Sequence, residues 1–122
     1  MNTNRGHETQ EHRALKAETI QFLKRWGYTF VLCEHQNSDV IAIRPHSNAI
    51  LGAEIERSVR NLLKNVSRDF SLGCTHLLIV CPDFKITGQI ARKLDRELSS
   101  ELREKVGLIT TSALRMLDPG QP

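Results

Sequence analysis

The segment HLLIVCP, residues 76–82, is apolar at every position from Leu77 to Cys81 and has helical patterns on either side of it. A strand with no polar face must be covered on both sides. The rest of the chain therefore has to supply helices for two layers around a sheet in which this strand is internal. At 122 residues there is room for one such domain.

The remaining pattern fits that demand. From about Glu11 to Trp26, Leu15, Thr19, Phe22, Leu23 and Trp26 recur at helical spacing, and Gly27 ends the run. Three strand-like runs follow, YTFVLCE (28–34), SDVIAIR (38–44) and AILGAEIE (49–56). They are joined by HQN and PHSN, short enough for an antiparallel meander. A second helix is expected over 59–72, capped by Ser58 and closed by Gly73. Val59, Leu62, Leu63, Val66 and Phe70 share one face of it, and Arg57, Arg60, Lys64 and Arg68 form a basic stripe on the other. After the buried strand, Ile90, Leu94, Leu98 and Leu102 give a third helix with a break expected at Ser99–Ser100. GLIT (107–110) is a last strand and TSALRML a final helical turn or two. The fold class is α/β, a central mixed sheet flanked by helices, in the order αβββαβ followed by αβα. The domain is expected over 9–117, with flexible ends at 1–8 and in the tail DPGQP (118–122).

Composition narrows the function classes. A hydrophobic content of 39% with 25% charged residues is that of a water-soluble globular domain, and no run approaches a membrane span. Cys33, Cys74 and Cys81 make an odd number with no CxxC pair, which speaks against a disulfide framework and for a reducing, cytoplasmic setting. Cys33 and Cys81 lie within apolar runs and read as small buried hydrophobes. The five histidines show no zinc-ligand spacing, and Ser47 and Ser112 have no nucleophile context. Aromatic residues are too few for base stacking along a single strand. The net charge of +3 mildly favours an anionic partner. Arg92, Lys93, Arg96, Arg103 and Lys105 are interleaved with acids and read as a solvated surface.

The informative chemistry is acidic. Residues two apart in a strand point the same way, with Cα atoms ~6.5–7 Å apart. Ile50, Gly52, Glu54 and Glu56 therefore share one face, and Leu51, Ala53 and Ile55 the face assigned to the core. Counted outward from the turn RPHSNA, Asp39 and Glu54–Glu56 lie at comparable distances, so three carboxylates can converge at one end of the sheet. Such a cluster needs raised pKa values, salt bridges or a bound cation. Mg²⁺, which takes hard oxygen ligands, suits it. The plainer reading places Glu54 and Glu56 at a solvated sheet edge, paired with Arg57, Arg60 or Lys64.

The order of elements, with SDVIAI (38–43) and AEIE (53–56) set so that Asp39 and Glu54 are 15 positions apart, resembles the PD-(D/E)XK, or restriction-endonuclease-like, nuclease superfamily. Small archaeal Holliday-junction resolvases look closest in layout, including the step RWGYTFVL from first helix to meander. The resemblance covers roughly residues 11–82. It implies metal-binding roles for Asp39 and Glu54, a further ligand in the carbonyl of Ile55, and a supporting glutamate on the first helix, Glu18 or Glu11. Glu56 departs from the pattern, because the family has lysine there and a glutamate supplies no positive charge. Lys64, about 12 Å farther along the helix, is the candidate for a migrated lysine, with Arg60 behind it.

The expectation that follows is a divalent-metal-dependent endonuclease acting on DNA, including branched DNA. Asp39, Glu54, Glu56 and Lys64 would be catalytic, and Asp39, Glu54 and Ile55 would hold Mg²⁺ or Mn²⁺. Arg57, Arg60, Lys64 and Arg68 would track the phosphate backbone, and a homodimer would span the duplex. The alternative is a catalytically impaired module that keeps the fold and binds nucleic acid or a protein partner without cleavage.

Overall fold

A computed structural model describes residues 9–33, 40–44 and 46–117, the segment 30–33 as backbone alone. The flexible ends expected at 1–8 and 118–122 lie outside the described residues. Helix α1 (Gln10–Arg25) leads into β1 (Phe30–Cys33), β2 (Val40–Ile43) and β3 (Ile50–Ile55); then follow α2 (Leu62–Ser71), β4 (His76–Cys81), α3 (Phe84–Glu97), α4 (Ser100–Arg103), β5 (Val106–Thr110) and α5 (Thr111–Met116). The strands form one mixed sheet in the order β1-β2-β3-β4-β5. The first three make an antiparallel meander, with Val40 opposite Ala53 and Ile43 opposite Ile50. Strands β3, β4 and β5 run parallel, linked by helical crossovers, with Glu54 opposite Ile79 and Ile79 opposite Leu108.

Side-chain alternation divides the core into two layers. Leu77, Ile79 and Cys81 of β4 pack with Leu62 and Val66 of α2, Ile90 and Leu94 of α3, and Ile41 and Val106 of the sheet. On the opposite face Val80 meets Leu15, Ile55 and Leu114, and Val40, Ala42 and Ala53 meet Leu23. The continuous apolar run of β4 is thus buried on both faces, under α2 and α3 on one side and α1 and α5 on the other. The face of β3 carrying Glu54 and Glu56 is buried as well, so the core is not confined to the face of Leu51, Ala53 and Ile55.

Helix boundaries follow their caps. Thr9, Asp83, Ser99 and Thr110 each accept a hydrogen bond at the start of α1, α3, α4 and α5. The third helix therefore begins at Phe84 and ends at Glu97, and the extended backbone of the capping Leu98 makes the break expected near Ser99–Ser100. Gly73 follows the last turn of α2 at φ +107° and Gly27 follows α1 at φ +98°, where a side chain would be strained. The second helix needs a correction. It starts at Leu62 rather than at residue 59, and Ser58 Oγ accepts from Arg60 N inside a turn instead of capping the helix. Trp26, placed on the buried face of the first helix, is partly exposed and donates through its indole N–H to Leu117 O at 3.1 Å. No helix among the described residues is long and apolar enough to cross a membrane.

Candidate acidic site beneath the second helix

Glu54 and Glu56 stand at the carboxyl end of β3, where Glu56 N donates to Val80 O at 3.0 Å and keeps the chain in the ladder. Both side chains are buried, at 3% and 7% exposure. This overturns the solvated-edge reading, because α2 lies over them. Asn65 Nδ2 donates to Glu56 Oε2 at 2.8 Å, and Arg68 Nη2 donates to Glu54 Oε2 at 2.9 Å. Arg68 Nη1 also donates to Asn65 Oδ1 at 3.1 Å, which joins the two carboxylates through one linked set of donors. Asp69, with 0% exposure, brings Oδ1 to 3.5 Å from Arg68 Nε.

These contacts form a ladder. Residue 65 of the helix meets 56 of the strand, 68 meets 54, and Asp69 Oδ2 lies 3.4 Å from where a Cβ on Gly52 would stand. The helix advances as the strand recedes, so α2 runs antiparallel over β3, as a crossover between parallel strands requires. Gly52 permits the approach. A Cβ there would be 2.9 Å from Cys74 Sγ and 3.0 Å from Leu77 Cδ2.

The charged layer marks the nearby thiols. Cys74 is pushed up to about 11, first by burial and then by the carboxylates of Asp69 and Glu54. Burial also raises Cys81, with Glu56 and Asp83 adding to the shift against a hydrogen bond with Thr87 that lowers it. Cys81 is buried as expected, and the side chain of Cys33 lies outside the described ones.

The expected basic stripe does not form. Arg57 and Arg60 precede α2, and Arg57 pairs with Glu11 of α1 on the other side of the sheet. Arg60 and Lys64 are exposed. Arg68 turns inward to Glu54, so the guanidinium nearest the carboxylates comes from a residue assigned to the outer face. Glu18, a candidate supporting carboxylate, is held by Arg115 of α5 at 2.7 and 2.9 Å, and that hydrogen-bonded guanidinium keeps its pKa below the usual carboxylate value. Neither glutamate of the first helix is drawn into the Glu54–Glu56 cluster by these pairs. Asp39 lies outside the described residues. It is joined directly to Val40, whose strand partner Ala53 is joined to Glu54.

Asn65 and Asp69 were not singled out from sequence, although the i, i+4 spacing of 65 and 69 was a signal that both lie on one side of the helix. Lys16 of α1 is a further buried charged residue that the pattern did not reveal. Among the described residues no group of three His, Cys, Asp or Glu side chains is arranged to hold a metal ion. Comparisons with protein-family models, with curated proteins and with solved structures returned no match.

Proposed function

We propose that the chain is a PD-(D/E)XK-like nuclease domain that hydrolyses phosphodiesters of DNA with the help of a divalent cation, acting as a homodimer on duplex or branched substrates. The observation that carries this reading is the burial of Glu54 and Glu56 side by side at the carboxyl end of β3, with a guanidinium 2.9 Å from Glu54. Open α/β sheets bind ligands beyond the carboxyl ends of their strands. The meander followed by a parallel β4 supports the same reading, since it is the order the resemblance implies.

In this reading Asp39, Glu54 and the carbonyl of Ile55 hold Mg²⁺ or Mn²⁺. Their hard oxygen donors suit such an ion. When bound, the ion would supply polarisation of the scissile phosphate and a more acidic water. Arg68, rather than Lys64, supplies the fixed positive charge that Glu56 cannot. Asn65 orients Glu56, and Glu56 orients the attacking water by accepting a hydrogen bond from it.

A second reading has its own support. Arg68 and Asn65 already engage one oxygen of each glutamate, as they would in a module that binds nucleic acid without cutting it. A cleavage assay decides between the two, using labelled linear, nicked and four-way-junction DNA with Mg²⁺ or Mn²⁺ beside Asp39→Ala and Glu54→Gln. The nuclease reading expects metal-dependent cleavage reduced at least ~100-fold in both variants. Cleavage at the wild-type rate in Glu54→Gln would sink it, and salt-sensitive binding with no cleavage would establish the binding module.

A further inference from the structure

On the layer of α2 and α3 the surface carries a basic depression of about 330 Å³, lined by Val59, Gln89, Arg92, Lys93 and Arg96. Four of the five are on α3 at spacings of three, one and three, which places them on one face of that helix. Their interleaving with acids in the sequence is only partly kept in space. Asp95 is drawn to Arg103 at 2.7 Å, while Glu97 stays paired with Arg96, 3.6 Å from its Nε. Gly88 contributes as well, since the Arg92 guanidinium lies back along the helix, 3.5 Å from where a Cβ on Gly88 would be. Three cations, an amide donor and the apolar Val59 thus line one depression.

We infer that this depression docks the phosphate backbone of the DNA and leads it toward Glu54 and Glu56, an inference that rests on the nuclease reading. Val59 is three residues beyond Glu56, so their Cα atoms are at most about 11 Å apart. Phosphates of one strand advance ~3.4 Å along the duplex axis. The Val59 edge of the depression is therefore within about three or four nucleotides of the backbone at Glu56. Arginine and lysine are the residues that release condensed counterions on meeting such a backbone, and Gln89 adds a neutral donor to phosphate oxygens. This revises the solvated-surface reading of Arg92, Lys93 and Arg96 and replaces the outer face of α2 as the main backbone contact.

The test is fluorescence anisotropy of a labelled DNA duplex in metal-free buffer, titrated with the full chain across about 50–200 mM salt. The variant Arg92→Gln/Lys93→Gln/Arg96→Gln is compared with a charge-matched control on the other layer, Arg13→Gln/Lys24→Gln/Arg25→Gln, and circular dichroism checks that both fold. The α3 variant should bind at least ~10-fold more weakly, and its slope of log K against log salt should be shallower by about 2–3. The control should lose less than half of that. Equal losses in the two triples, an α3 variant within twofold of wild type, or a wild-type chain that does not bind the duplex would each overturn the proposal. Intact cleavage by an α3 variant of unchanged affinity would remove the depression and leave the nuclease reading standing. Weakened binding in the α3 variant, with no cleavage by the wild type, would leave the depression and remove the nuclease.

Discussion

At the scale of single residues, Arg68 decides the character of the acidic site. Its guanidinium meets Glu54 at 2.9 Å and Asp69 at 3.5 Å, where both carboxylates are nearly sealed from water. Removing one partner of a buried ion pair leaves the other charge desolvated, which costs more than the intact pair contributes. Arg68→Met should therefore lower the unfolding free energy by about 2–4 kcal/mol in urea titration at an unchanged m-value. A loss below ~0.5 kcal/mol would mean that the pair behaves as a surface contact. The sequence showed that two carboxylates share a face. Which cation meets them was hidden, because periodicity gives the angle of a residue around the helix and not the direction in which a long arginine side chain reaches.

At the scale of elements, α3 combines a buried face with a basic one. Ile90 and Leu94 are sealed in the core while Gln89, Arg92, Lys93 and Arg96 line the depression. Gly88 lies inside a continuous helix, and a methyl group there would make only ordinary contact, 3.5 Å from the Arg92 guanidinium. Gly88→Ala should stabilise the chain by about 0.5–1 kcal/mol, read as a rise in urea midpoint. Gly52 behaves oppositely, because its extra Cβ would press on Cys74 and Leu77. Strand positions and the order of elements were legible because period 2 and period 3.6 are local signals. The start of α2 was not. Val59 continues the helical spacing of Leu62, Leu63 and Val66, yet residues 57–61 form bends and turns that carry the chain from β3 into the crossover.

At the scale of the whole molecule, the burial of Cys74, with the carboxylates of Asp69 and Glu54 beside it, links global stability to pH. Its thiol is held at about 11 in the fold, against an ordinary value of 9.0. Below pH 9 both folded and unfolded chains keep the proton, and the thiol does not affect stability. Between about pH 9 and 11 the unfolded chain releases it first, so stability falls as pH rises, by roughly 3 kcal/mol in all. Urea titrations across that range should show this extra loss in the wild type and not in Cys74→Ala, the difference between the two curves isolating the thiol from lysine and tyrosine. Parallel curves would mean that Cys74 titrates normally.

By itself the sequence determined that β4 is internal, that a meander precedes it, and that Glu54 and Glu56 point the same way. Each is a consequence of backbone geometry over a few residues. Tertiary structure alone decided that α2 closes over the two glutamates and that Arg68 and Asn65 meet them. It also decided that Arg57 turns away to Glu11 and that the cations of α3 gather in one depression. The first of those outcomes depends on how a helix is docked antiparallel across a strand, where Leu62 and Val66 pack with Leu77 and Ile79. Packing of that kind acts between residues distant in the chain, and no local pattern encodes it.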